Sequence, residues 1–228
     1  MFEVRYTRRV PSRIVVQAEA LAWLSANPAP AHASVITSLP DVSELPRVTF
    51  DEWRTWFIEA AGRVMRWVPS GGVSIFYQSD IRHAGVWVDK GYLVQRAAEE
   101  AGASLIWHKV VCRKEAGTPS LGRPSYSHML CLARADARPI IQKIARPDVL
   151  PEMGFMSWSK AMGVNACRLA CEFLRDETET RVVVDPFCGR GTVLSIANEL
   201  GLDAIGIDLS SRCCSASRRG LRIREGEC

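Results

Sequence analysis

The 228-residue chain has no uninterrupted apolar run long enough to span a bilayer, which excludes a helical membrane protein. Its first residues, MFEVRYTRRV, contain no apolar signal core, so a soluble, cytoplasmic protein is expected. Eight cysteines are present, yet no Cys-x-x-Cys occurs. Cys167 and Cys171 stand one helical turn apart, Cys213 and Cys214 are adjacent, and the rest are scattered. A structural zinc site draws on close pairs at a fixed separation, so the expectation is buried thiols in a reducing compartment and no metal. Strong charge of either sign is missing too. The net charge of +4 permits a nucleic-acid partner without demanding one. There are no repeats and no low-complexity tracts. What remains is an ordinary globular composition, 47% hydrophobic and 24% charged, on a chain that can bury one sizeable core. One domain is the default.

The stretch with the most organisation is RVVVDPFCGRGTVLSIANELGLDAIGIDLS, residues Arg181 to Ser210. Arg181 to Val184 reads as a buried strand that ends on Asp185-Pro186-Phe187. Cys188-Gly189-Arg190-Gly191 is a glycine turn, and Thr192 opens an apolar-periodic helix that stops before Gly201. A second strand, Asp203 to Ile207, finishes on Asp208. Strand, glycine turn, helix, strand and terminal acid form a nucleoside-gripping unit at the carboxyl edge of a doubly wound sheet. The glycines allow close backbone approach, the helix start offers N–H groups, and Asp208 can accept ribose hydroxyls. A Walker loop is excluded, because Gly-Lys-Ser/Thr is absent. A dinucleotide site wants a small residue where Leu194 stands. The acid at the strand end, Asp185, suits a ligand with an ammonium group, such as S-adenosylmethionine (AdoMet).

The rest of the chain alternates strand and helix. Arg13–Gln17 reads as a strand, Ala18–Ala26 as a helix, Ala33–Thr37 as a buried strand ending on Ser38-Leu39-Pro40-Asp41, and Phe50–Val68 as a long helix. Gly71-Gly72 introduces the strand Val73–Tyr77, and Gly91–Ala101 is helical up to Gly102. Leu105–Val111 and His128–Ala133 read as an antiparallel pair joined by the polar loop Cys112–Ser127. Gly163–Leu174 is a helix leading into the glycine-turn unit. This order predicts an α/β fold with a mostly parallel sheet and helices on both faces.

The stretch around Asp185 closely resembles the DPFxGxGT signature of AdoMet-dependent methyltransferases that act on nucleic-acid amino groups. With its late position, and with RIVVQAEALAWLSANPAPAHASVITSLPD at the front, the whole of Arg13 to Ser217 resembles the circularly permuted, beta-group members. The resemblance implies a Rossmann-like sheet of seven strands in a single domain. About 13–135 would form the catalytic half and about 150–217 the cofactor half. Carried over residue by residue, it implies that Glu19 faces the adenine of AdoMet. It further implies that Phe155, Ser157 and Lys160 wrap its methionine end, and that Asp185, Phe187, Gly189, Gly191, Thr192, Asp208 and Leu209 complete the cofactor site. Ser38, Pro40 and Asp41 take the place of the catalytic (Ser/Asn/Asp)-Pro-Pro-aromatic tetrapeptide. Here Leu39 replaces the first proline and Asp41 the aromatic. A carboxylate cannot stack on an extruded base, but it can accept a proton from a nitrogen.

The resembling DNA enzymes carry a large recognition insert between the hairpin and the segment before the cofactor helix, where this chain has only Ala135 to Met153. The expected substrate contacts are instead His108, Arg113, Arg123 and Tyr126, in and beside the Cys112–Ser127 loop. Arg5, Arg8 and Arg9 at one end, and Arg218, Arg219, Arg222 and Arg224 at the other, extend the basic surface. A structured RNA recognised by shape needs less readout machinery than duplex DNA. The expectation is therefore methylation of a base nitrogen in RNA, with tRNA foremost. The alternatives are a DNA amino-methyltransferase with a separate recognition partner and a catalytically silent AdoMet-binding module. A homodimer or partner subunit fits either enzyme.

Overall fold

The computed structural model describes residues 9–136 and 146–221. Arg5, Arg8, Arg222 and Arg224 lie outside the described residues.

Ten strands and six α-helices follow one another along the described chain. They are β1 (Arg13–Gln17), α1 (Ala20–Ala26), β2 (Ala33–Thr37), α2 (Phe50–Trp67), β3 (Ser74–Gln78), β4 (Ile81–His83), β5 (Val86–Val88) and α3 (Lys90–Ala101). Then come β6 (Ala103–Cys112), β7 (Tyr126–Arg134), β8 (Val149–Leu150), α4 (Val164–Glu177), β9 (Val182–Asp185), α5 (Thr192–Glu199), β10 (Asp203–Asp208) and α6 (Ser211–Arg219). Eight strands form one sheet in the order β1-β10-β9-β2-β3-β7-β6-β8, and β4 pairs with β5 alone. β1, β10, β9, β2 and β3 run parallel, whereas β7 is antiparallel to both β3 and β6.

The central strands read as continuous apolar runs because both of their faces are covered. Successive residues point to opposite sides. Val35, Phe76 and Val184 pack with Leu21 and Leu24 of α1, Trp53 and Phe57 of α2, and Leu93 of α3. Ile36, Ile75 and Val183 pack with Cys167 and Leu174 of α4 and Leu194 and Ile196 of α5. A one-residue slip of β2, β9 or β3 would exchange these two sets.

The long helices carry their own start signals. Thr49 and Glu52 close a capping box on α2, and Asp89 caps α3 by accepting from the Tyr92 N–H at 2.8 Å. Gly102 ends α3 in the left-handed conformation.

Three features depart from the sequence reading. The sheet has an eighth strand, because two residues of the connector, Val149 and Leu150, pair in parallel with Val110 and Val111 at the edge of β6. The hairpin β4–β5 has no counterpart in the sequence pattern; each of its strands has three residues, too few for alternation to show. Helix α6 is equally silent in the sequence. Its residues SRCCSASRR bury only Cys214 and Ser217, so it has almost no apolar stripe to read.

Strand β9 feeds α5 and then β10 on one side of it, while β2 feeds α2 and then β3 on the other. The connections diverge between these two neighbours, opening a crevice at their carboxyl ends where sheets of this type bind ligands.

Candidate active site

A cleft of about 530 Å³ opens at that point, a size suited to a cofactor. Its walls include Glu19, Ser38, Pro40, Lys160, Asp185, Phe187, Gly189, Thr192, Asp208 and Leu209. These residues, all named from the sequence, converge from well-separated stretches of chain. Asp41, Phe155, Ser157 and Gly191 do not line the cleft.

Asp185 ends β9 beside β2 and is only 4% exposed. One carboxylate oxygen, Oδ1, accepts from the Thr37 hydroxyl at 2.7 Å and from the Phe187 N–H at 3.1 Å. Oδ2 has no protein donor among the described residues. Burial pushes the carboxyl up to about 7, the two hydrogen bonds offset part of this, and nearby Asp208 adds to it. With Oδ2 clear of protein donors, this carboxyl can bind a cation at the cleft.

Asp208 ends β10. Its Oδ2 accepts from the Gly189 N–H at 2.9 Å and its Oδ1 from the Ser210 N–H at 2.7 Å. Burial raises its carboxyl as well, with a smaller push from Glu44. The Gly189 bond closes the glycine turn over the end of β10. Gly191, at φ 80°, starts α5, and a Cβ there would meet Ser217 Oγ at 2.2 Å. Gly191 therefore shapes the cleft without facing it. Ser157 acts one step back in the same way, bonded to the Thr192 hydroxyl at 3.0 Å. Trp158 packs against Gly189, with the Arg190 guanidinium over its ring at 5.2 Å.

Glu19 lines the cleft with its carboxylate already occupied, since it caps α1 through the N–H groups of Leu21 and Ala22 at 3.1 and 2.7 Å. Lys160 reaches the cleft and pairs with Glu44 at 2.9 Å. Acids thus outnumber free cations around the cavity, which favours a cationic ligand.

The loop after β2 forms the opposite wall. The Leu39 side chain is 2% exposed and belongs to the core. The Pro40 carbonyl is taken by Trp53 Nε1 at 3.0 Å. The Ser38 hydroxyl has no hydrogen-bond partner among the described residues, which leaves it available at the cleft. Asp41 turns away: its carboxylate pairs with Lys90, whose side chain is 3% exposed, and its N–H is held by Glu44 at 3.1 Å. Asp41, expected among the catalytic residues, does not line the cleft in this arrangement. A buried ammonium needs a carboxylate partner and takes this one.

The four expected substrate residues do not converge on the cleft. Arg113 bonds the Ser79 hydroxyl at 3.1 Å and, with Lys114, lines a separate groove of about 860 Å³. Phe155 lines that groove too, at 42% exposure, and so lies apart from the proposed methionine end. Arg123 is exposed at the loop tip. His108 and Tyr126 instead surround His128. His108 Nε2 is 3.0 Å from His128 Nδ1, and the Tyr126 ring meets the His128 ring edge-on at 5.3 Å. His128 Nε2 in turn bonds Asp80 at 3.1 Å. Asp80, Asp89 and His128 present ligand atoms within 4.8 Å of one another, but both Asp80 oxygens are already hydrogen-bonded. Sequence reading missed Asp80 and His128, which the pairing of β3 with β7 brings together, and Lys90, which reaches Asp41 from the start of α3.

The described cysteines are free, most of them are buried, and burial raises the thiols of Cys131, Cys167, Cys171 and Cys188. Among the described residues no helix is long and apolar enough to cross a membrane.

Three solved structures resemble this one over most of both chains. A protein of Thermus thermophilus, described as a candidate DNA modification methylase and complexed with S-adenosyl-L-methionine, is 18% identical with a TM-score of 0.67, covering 91% of this chain and 93% of that one. PvuII DNA methyltransferase (cytosine-N4-specific) is 16% identical with a TM-score of 0.72, covering 96% and 89%. The complex of M1.HpyAVI with SAM is 13% identical with a TM-score of 0.62, covering 91% and 98%. The fold is that of the AdoMet-dependent methyltransferases. Residues 175–219 of this methyltransferase fold match the N6_N4_Mtase family, described as DNA methylase. That segment runs from the end of α4 to the end of α6 and holds Asp185, the glycine turn and Asp208. No curated relative matches the chain by sequence.

Proposed function

We propose that the protein is an AdoMet-dependent methyltransferase acting on an exocyclic amino group of a DNA base. The observation that carries the reading is one juxtaposition across the β9–β2 crevice. The free oxygen of buried Asp185 stands on one side and the unpartnered hydroxyl of Ser38 on the other.

In this reading the residues present fit the cofactor. Asp185 Oδ2 would hold its ammonium, Asp208 would accept from its ribose hydroxyls, and Lys160 and the start of α5 would hold its carboxylate. When bound, AdoMet supplies a methyl group already activated by its sulfonium, so the protein's contribution is mainly alignment. Ser38 and the Leu39 carbonyl accept hydrogen bonds from the target amine and aim its lone pair. Trp53, by holding the Pro40 carbonyl, fixes that loop. Residues 13–217 act as one unit, with the catalytic and cofactor halves in permuted order.

The lack of a recognition insert favoured RNA in the sequence reading, with tRNA foremost. That argument loses its force here. The Thermus thermophilus protein, described as acting on DNA, spans nearly the same length as this chain and has no room for a large insert either. The DNA methylase family match points the same way.

Calorimetry tests the cofactor site. AdoMet is expected to bind, and Asp185→Ala is expected to weaken it at least tenfold by removing a charged partner, about 1.4 kcal/mol or more. Unchanged affinity in Asp185→Ala would sink the assignment of the cleft.

A further inference from the structure

The hairpin β4–β5 takes no part in the cleft. Six consecutive residues, Arg82 to Trp87, are exposed, with Val86 at 67% and Trp87 at 42%. Two three-residue strands outside the main sheet are marginal by themselves in water. This pair is nevertheless held in shape. Ala84 and Gly85 both have positive φ, 48° and 81°, as a two-residue type I′ turn requires. The Arg82 guanidinium lies over the Trp87 ring, 5.6 Å from its centroid. The indole edge is pinned, because Nε1 donates to Asp80 Oδ2 at 3.2 Å.

The hairpin is fastened to the loop that carries Ser38 both at its root and beside its turn. Lys90, two residues past β5, pairs with Asp41, the residue after Pro40. His83 stacks on Phe50 with centroids 4.1 Å apart and planes within 6°. Phe50 touches Trp53, whose Nε1 holds the Pro40 carbonyl. The hairpin also leaves from the carboxyl end of β3, next to the strand that ends at Ser38. It therefore stands at the carboxyl edge of the sheet, one strand from the crevice, presenting an aromatic ring backed by a cation.

We propose that β4–β5 is a DNA-contacting arm on which Trp87, backed by Arg82, stacks against a base neighbouring the extruded target nucleotide. The proposal rests on the reading of the cleft as a site of methyl transfer to DNA. Extruding one nucleotide leaves its neighbours unstacked, and an aromatic ring or guanidinium plane is the side-chain surface that replaces a lost stacking partner. The arm supplies recognition surface in a chain without a large recognition insert.

The test is fluorescence anisotropy, in the presence of AdoMet, with a labelled DNA duplex of about 20 base pairs carrying one central mismatch, which lowers the cost of extrusion. An RNA duplex of the same sequence is the second arm. Trp87→Ala is expected to weaken DNA binding about tenfold, the usual scale for one base–aromatic stack, while AdoMet affinity by calorimetry stays unchanged. Trp87→Phe keeps a ring but loses the Nε1–H, and is expected to retain most of the DNA affinity. Four results would overturn the proposal: no DNA binding by the unmodified protein, no effect of Trp87→Ala, equal losses in Trp87→Phe and Trp87→Ala, or tighter Trp87-dependent binding of the RNA. Equal losses would assign the effect to the hydrogen bond with Asp80. Failure of the unmodified protein to bind AdoMet would instead count against the cleft reading, because that affinity is measured separately.

Discussion

Asp185 is buried and hydrogen-bonded through one oxygen only, and its carboxyl is pushed up to about 7. Its folded-state value lies above its unfolded value, so the folded protein holds the extra proton. The associated stability is fully present below about pH 4 and is lost as pH rises through about 7. A cationic ligand reverses the preference, because an ammonium beside Oδ2 favours the carboxylate. AdoMet affinity is therefore expected to rise as pH goes from about 5.5 to about 7.5, with release of a proton below about 7. Calorimetry in buffers of different ionisation enthalpy detects that proton, and Asp185→Asn is expected to flatten the profile. A flat profile in the unmodified protein would show that Asp185 does not meet the ligand's charge. The Lys90–Asp41 pair makes a second residue-level prediction. Lys90 is 3% exposed and Asp41 is 35% exposed, so losing either partner is not equivalent. Asp41→Ala strands a buried ammonium and is expected to cost about 3 kcal/mol, whereas Lys90→Met leaves a carboxylate that water can reach and costs about 1 kcal/mol. Urea denaturation of the two variants measures the asymmetry; equal costs would mean the pair is not buried as described.

Among the elements, the glycine turn between β9 and α5 sets the shape of the cleft. Gly191 has φ 80°, and a Cβ would overlap the Ser217 side chain of α6, so Gly191→Ala is expected to cost about 2 kcal/mol in thermal stability and to weaken AdoMet binding. Full stability in that variant would mean α6 can move away without consequence. The sequence made this unit legible because strand, turn, helix and acid are contiguous and each has a local physical signature. The same holds for β2, β3 and the helices α2 and α3, whose apolar patterns and caps are local. What stayed hidden depends on distant pairing. Asp80 and His128 are 48 residues apart and meet only because Gln78 and His128 pair across β3 and β7. Asp41 reads from the sequence as a cleft residue by position, but its direction is set by Lys90, 49 residues away. Phe155 fails for a similar reason: it is two residues from Ser157, yet it opens into the groove beside Arg113.

At the scale of the whole molecule, a cleft poor in free cations lies at a divergence point of the sheet, beside a loop with an open hydroxyl acceptor. The β4–β5 arm and the Arg113 groove lie outside it, and both offer aromatic and basic surface. Under the proposed function, such a layout suits a nucleic-acid strand laid over the cleft. Ser38, Asp185 and Asp208 reach the cleft from the carboxyl ends of β2, β9 and β10, three neighbouring parallel strands. The most direct measurement is transfer of a labelled methyl group from AdoMet to duplex DNA, with tRNA and an unstructured RNA as parallel acceptors, followed by mass spectrometry of the released nucleosides. The expected result is N4-methylcytosine or N6-methyladenine from the DNA, reduced at least about tenfold by Asp185→Ala at subsaturating AdoMet and about 100-fold by Ser38→Ala. Label confined to RNA, or methyl transfer undiminished in Asp185→Ala at subsaturating AdoMet, would contradict it.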